Sequence, residues 1–100
     1  MKRAIRRSSG NVFRDVGFVP PESENLRIRA ELMTRLTRIL EQRDLTQLAA
    51  ARLLGVSQPR VSDLVRGKID RFSVDGLLAM LGSAGARVTI VVRPARRRVA

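Results

Sequence analysis

The spacing of apolar residues divides the chain into unequal segments. Over residues 22–43, Leu26, Ala30, Met33, Leu36 and Leu40 recur at helical intervals, and Leu32 and Ile39 widen the stripe. Side chains three and four apart share one helix face, so the spacing predicts a long amphipathic helix. Glu22 and Glu24 near its start and Arg43 at its end suit the helix dipole. Asp44 tolerates a left-handed backbone better than most residues and is expected to stop the helix. A second helix is expected after Thr46, its N-cap, through Leu54, with Ala50, Leu53 and Leu54 facing inward. Gly55 breaks it.

Ser57 is placed to cap a third helix over 58–66. Pro59 falls in its first turn, where a missing N–H is harmless. Val56 before the cap and Val61 after it have the spacing of a hydrophobic staple. Gly67 ends this helix. Ser73 caps a fourth, over 74–81, with Val74, Leu77, Leu78 and Leu81 on one side. Gly82 and Gly85 flank the turn that follows. At 87–93 the period changes. Val88, Ile90 and Val92 alternate with Arg87, Thr89, Val91 and Arg93, and β-branched residues dominate. A strand is expected there, stopped by Pro94.

The ends differ from this middle. Residues 1–11 are basic and finish in Ser-Ser-Gly-Asn, as a disordered arm would. Residues 12–21 hold an apolar cluster of Val12, Phe13, Val16, Phe18 and Val19, closed by Pro20-Pro21. The expected organisation is therefore an arm (1–11), an apolar segment (12–21), a helical domain (22–86), a strand (87–93) and a basic tail (94–100). Between the basic ends about 80 residues remain, and a domain that small buries only about two-thirds of its unfolded surface. A second subunit or a partner surface would help.

Composition then narrows the function. The chain has 20 Lys+Arg against 9 Asp+Glu, a net charge of +11. Such a balance seeks a polyanion, either nucleic acid or an anionic membrane. Only Lys2 and Lys68 are lysines. Arginine favours bidentate contact with phosphate or guanine, although GC-rich coding also raises its share. There is no Cys and no His. Disulfides, thiolate or imidazole metal sites and the usual nucleophile and general base are thereby excluded. The pairs Glu22/Glu24 and Asp70/Asp75 read as caps and surface charges. No enzymatic role, cofactor, metal or small-molecule substrate is expected. With no Tyr or Trp and only three Phe, base-stacking on single strands is disfavoured. No uncharged apolar run approaches the roughly 18 residues that span a membrane. Residues 1–7 are basic like the start of a secretion signal, but polar residues follow, so a cytoplasmic protein is expected.

Two short helices joined by Gly55-Val56-Ser57 outline a helix-turn-helix. Steeply crossing helices need one small contact residue, which Ala51 supplies. The turn needs a residue free to take positive φ, which Gly55 supplies. Leu54, Val56, Val61 and Leu64 would lock the pair. Gln58, Arg60, Ser62, Asp63 and Arg66 then project outward, with Asp63 read as an intrahelical partner of Arg60 or Arg66, or as a filter against wrong bases. A plain helical hairpin with a basic face would share some of these features. The caps, the small residue, the glycine and the apolar positions together favour the DNA-binding motif.

Residues 47–68, QLAAARLLGVSQPRVSDLVRGK, resemble without a gap the XRE, or Cro/repressor-type, helix-turn-helix. Over a wider span the chain is similar to the HigA-like antitoxins and related small XRE regulators. GNVFRDVGF, LTQLAAARLLGVSQPRVSDLVRGKIDRFSVDGLLAML and VTIVV carry that likeness. Asp44 departs from it, since such sequences more often have Gly there. The resemblance implies a mainly α fold of four to five Cro/repressor-like helices, a homodimer, and a palindromic operator in double-stranded DNA. The third helix would enter the major groove. Gln47 matches a phosphate-holding position and Gln58 one that often reads adenine. Arg60 and Ser62 match base- or phosphate-contacting positions, and Arg66 and Lys68 would lie near the backbone. The cap residues Thr46 and Ser57 complete the expected DNA-binding set. The resemblance also implies a second activity: repressing its own operon as the antitoxin that neutralises a small RelE/HigB-like toxin.

Two further readings stay open, a stand-alone phage-type repressor and a protein-interaction adaptor. The flanks are open too. Val12, Phe13 and Phe18 either dock a partner or cover the domain's own core. A lone strand leaves backbone groups unpaired. Val88, Ile90 and Val92 would therefore join a copy in a dimer, a weak strand near Val12 and Phe13, or a partner's sheet edge. The dimer would set two recognition helices roughly 34 Å apart, one turn of DNA.

Overall fold

The computed structural model describes residues 21–94. The arm 1–11, the apolar residues Val12, Phe13 and Phe18, and the tail from 95 onward lie outside the described residues. Four α-helices follow in chain order: α1 Pro21–Gln42, α2 Gln47–Leu54, α3 Gln58–Val65 and α4 Val74–Ser83. A 3-10 turn, Ile69–Arg71, links α3 to α4. Asn25–Thr89 form one compact unit. Outside it, residues 21–24 are the first turn of α1, and 90–94 form neither helix nor strand. No helix among the described residues is long and apolar enough to cross a membrane.

The start of each of α2, α3 and α4 is set by its N-cap. The Thr46 hydroxyl accepts from the Ala49 N–H at 3.1 Å, Ser57 from Arg60 at 3.3 Å, and Ser73 from Gly76 at 3.0 Å. Each satisfies a donor that the helix itself leaves orphaned. Asp44 does take the left-handed conformation, with φ 54°. So does Gly55, with φ 70°, its N–H donating back to the Ala51 carbonyl. α3 ends at Val65, one residue early, with Arg66 as its C-cap. α4 runs past Gly82 to Ser83, because the left-handed turn comes only at Gly85 (φ 85°).

The core draws on every helix. Met33, Leu36 and Leu40 of α1 meet Ala50, Ala51 and Leu54 of α2, Val61 and Leu64 of α3, and Leu77, Met80 and Leu81 of α4. Phe72 and Ala84 close it at either end of α4. Leu36, Leu64, Leu77 and Val61 are fully buried, and no polar or charged residue is buried among the described residues. The stripe expected along α1 enters the core only from Met33 onward; Leu26 and Ala30 are exposed. Geometry explains this. Twenty-two helical residues span about 33 Å. The eight-residue partner helices span about 12 Å each and cannot cover the whole stripe.

The strand expected at 87–93 is corrected: no strand occurs among the described residues. Alternation supplies a face, but a strand exists only as a hydrogen-bonded ladder. No described residue offers this segment a ladder partner. Val88, Ile90 and Val92 are exposed, Ile90 at 70% and Val92 at 88%.

A Cβ added at Gly55 would meet nothing within 4 Å. The cost of Gly55→Ala is thus backbone strain alone, about 1 kcal/mol. Urea unfolding should show that loss, and Gly55→Asn should lose less. Equal stability of Gly55→Ala and the parent would show that the turn does not need the left-handed backbone.

Candidate nucleic-acid interface

α2 and α3 pack around Gly55-Val56-Ser57, with Val56 partly buried against the core and Val61 only 1% exposed. That is the staple that fixes how the chain enters α3. Successive helical residues advance by 100°, so burying Val61 and Leu64 turns the opposite arc of α3 to solvent. Gln58, Pro59 and Arg66 are exposed there, and Ser62 and Asp63 are half-buried. Gln58, Ser62 and Arg66, four residues apart, lie on one side of α3. Ser57 stands at its start, and half-buried Lys68 follows its end.

Thr46 and Gln47 are exposed at the start of α2. They line one groove with Val61 and Val65 of α3 and with Thr37 and Glu41 of α1. The N-terminus of α2 therefore adjoins the second half of α3. The Thr46 and Ser57 hydroxyl oxygens accept the cap bonds, and each O–H stays available as a donor. Among the described residues, no group of acidic side chains could hold a metal ion.

Arg60 sits differently from the other expected contacts. Its Nη1 donates to the Arg71 carbonyl at 2.6 Å, and its guanidinium lies 4.3 Å from the centre of the Phe72 ring. Both partners are in or beside the 3-10 turn, so the head group is engaged within the domain. Asp63 is corrected as well. It pairs with Arg71, at 3.1 Å, not with Arg60 or Arg66. The turn delivers a carbonyl and an aromatic face to Arg60, and these hold it away from the carboxylate.

Sequence reasoning passed over Arg71, Phe72 and Arg29. Arg29 Nη1 donates to the carbonyls of Ile69 and Phe72, at 3.0 and 3.4 Å, and ties the turn to α1. One signal was available: Phe72 is the sole phenylalanine outside 12–19. An apolar ring just before a capped helix calls for a core position.

A family model described as a helix-turn-helix domain matches residues 12–93. The chain is also similar to a solved structure described as a candidate XRE family transcriptional regulator. The two share 36% sequence identity and a TM-score of 0.72, over 80% of this chain and 91% of that one. No curated protein matches.

Removing the Arg60 head group deletes a charged hydrogen bond and a cation–π contact, both partly exposed. Arg60→Ala should cost about 1–2 kcal/mol, read as an earlier urea midpoint. Arg60→Lys should recover only part, because an ammonium lacks the planar fork. An unchanged midpoint in Arg60→Ala would mean that these contacts contribute nothing.

Proposed function

This chain belongs to the XRE family of helix-turn-helix DNA-binding transcriptional regulators, and from that premise we propose what it binds and why. Two copies bind a palindromic operator, each laying α3 in the major groove. The observation that carries this reading is the arc of α3 that Gln58, Ser62 and Arg66 share at four-residue spacing, with Gln58 and Arg66 exposed and Ser62 half-buried, while Val61 and Leu64 are buried in the core. The Gln58 amide can donate to and accept from the edge of adenine, and Ser62 can donate to a base or a phosphate. Thr46 and Ser57 donate their free hydroxyl hydrogens to phosphate. Gln47 stands at the start of α2, where orphan N–H groups and the helix dipole favour an anion. Arg66 and Lys68 add phosphate contacts. Arg60 contributes mainly by holding α3 in place.

The copies join through residues 87–93. Exposed Val88, Ile90 and Val92 alternate along a backbone without a ladder, and pairing with a second chain would satisfy both features. In the cell the protein acts in the cytoplasm as repressor of its own operon. It is also the antitoxin of a RelE/HigB-like toxin, which docks on the apolar residues Val12, Phe13 and Phe18. The likeness of GNVFRDVGF, the 45–81 block and VTIVV to HigA-like antitoxins supports that second activity. The reading assigns it no catalytic step, cofactor or small-molecule substrate.

Gln58→Ala should lower preference for the operator over a substituted site by roughly 5- to 100-fold, the worth of one good base contact. Log affinity should fall linearly with log salt. Binding that is indifferent to both would sink the direct-readout assignment. Removing residues 87–100 should abolish the tight dimer in sedimentation, and an unchanged dimer would move the seam elsewhere. Co-expression with the small reading frame beside its gene should yield a stoichiometric complex, with growth arrest when that neighbour is expressed alone. Neither complex nor arrest would leave a stand-alone repressor.

A further inference from the structure

Arg71 is anchored to the recognition helix twice. Its carbonyl accepts from Arg60 Nη1 at 2.6 Å. Its own Nη1 donates to both carboxylate oxygens of Asp63, at 3.2 and 3.1 Å. Both partners belong to α3. On the other side, Arg29 of α1 holds the Ile69 and Phe72 carbonyls, and the Phe72 side chain is buried. The three-residue turn that carries Arg71 is therefore fixed from the core side and from the DNA-facing helix together.

A surface Asp–Arg pair adds little stability, since the charges are solvated before they meet. What it does here is restrict a long, flexible side chain. Asp63 flanks the same arc of α3 as Ser62 and Arg66, so the Arg71 head group is held at that face. A bare carboxylate there would repel phosphates; the pairing neutralises it. One nitrogen of the guanidinium is committed. Nε and Nη2 make no bond among the described residues, and the side chain is 54% exposed. Those two N–H groups point the same way and form the fork that matches N7 and O6 of guanine. A phosphate contact needs only charge and tolerates a swinging side chain. Fixation at both the backbone and one nitrogen suits a base edge better.

We propose that Arg71 is a specificity-determining residue, with Asp63 aiming its free guanidinium edge at a guanine in the major groove and Arg60 positioning its backbone. This rests on α3 entering the major groove.

The test selects binding sites from a pool of randomised DNA duplexes, with the full-length parent, Arg71→Ala, Arg71→Lys and Asp63→Asn. Thermal unfolding of each variant is measured alongside; neither Asp63 nor Arg71 belongs to the core, so all should stay folded. The parent is expected to enrich G at one position that Arg71→Ala no longer enriches, the other positions keeping their preferences. Discrimination at that base pair should drop roughly 5- to 100-fold. Arg71→Lys should not restore it. Asp63→Asn should weaken it in part, and Asp63→Asn combined with Arg71→Ala should be no worse than Arg71→Ala alone. If Arg71→Ala instead weakens all sequences alike and lowers the salt slope by about one, Arg71 holds a phosphate and the proposal falls. It also falls if preference and affinity are unchanged, since the pair is then only a surface contact. A parent that enriches no sequence overturns the operator reading itself, a result distinct from either.

Discussion

An eight-residue helix cannot hold its own shape in water, and α3 has eight residues. Nucleating one turn costs more than so short a helix recovers. Whatever α3 does therefore depends on the burial of Val61 and Leu64, both only 1% exposed, against the other helices. The caps and the staple decide where α3 begins. The core decides which way it faces. α1, with 22 residues, is the one long element among the described residues, and Met33, Leu36 and Leu40 form the floor on which the short helices rest.

The arginines serve two purposes that composition alone merges. Arg29, Arg43 and Arg60 each spend donors on main-chain carbonyls at the ends of elements: Ile69 and Phe72, Ala84, and Arg71 respectively. Carbonyls at helix ends lack partners within their own helix, and the Ile69 carbonyl accepts from the Phe72 N–H as well as from Arg29. Part of the net +11 thus holds the fold together, and the charge free to meet a polyanion is smaller than the total suggests. The basic groups left near the end of α3 are Arg66, Lys68 and Arg71.

The helices were legible because their signals are local. Thr46, Ser57 and Ser73 are caps by residue type and position, and Gly55 is a turn by its freedom at positive φ. The inward face of α3 followed from Val56, Val61 and Leu64 alone. What failed needed knowledge of neighbours distant in sequence. Leu26 fits the α1 stripe, yet no partner helix reaches it. Alternation at 87–93 reads as a strand, yet pairing is a property of two segments, and the pattern describes one. Asp63 has Arg60 and Arg66 at helical spacing. Its partner, Arg71, arrives through a turn whose shape no periodicity encodes.

The division of α3 into a buried half and an exposed half bears on how such a protein diversifies. Gln58, Ser62 and Arg66 make no contribution to the packed core, so substitutions there leave the scaffold untouched. Single-step mutation can change the outer surface of α3 at those positions while the core stays as it is. Asp63 and Arg71 are bound to each other across the turn. A lineage that alters one strands the other, so that pair is expected to change together and more slowly, acting as a ratchet on drift in recognition.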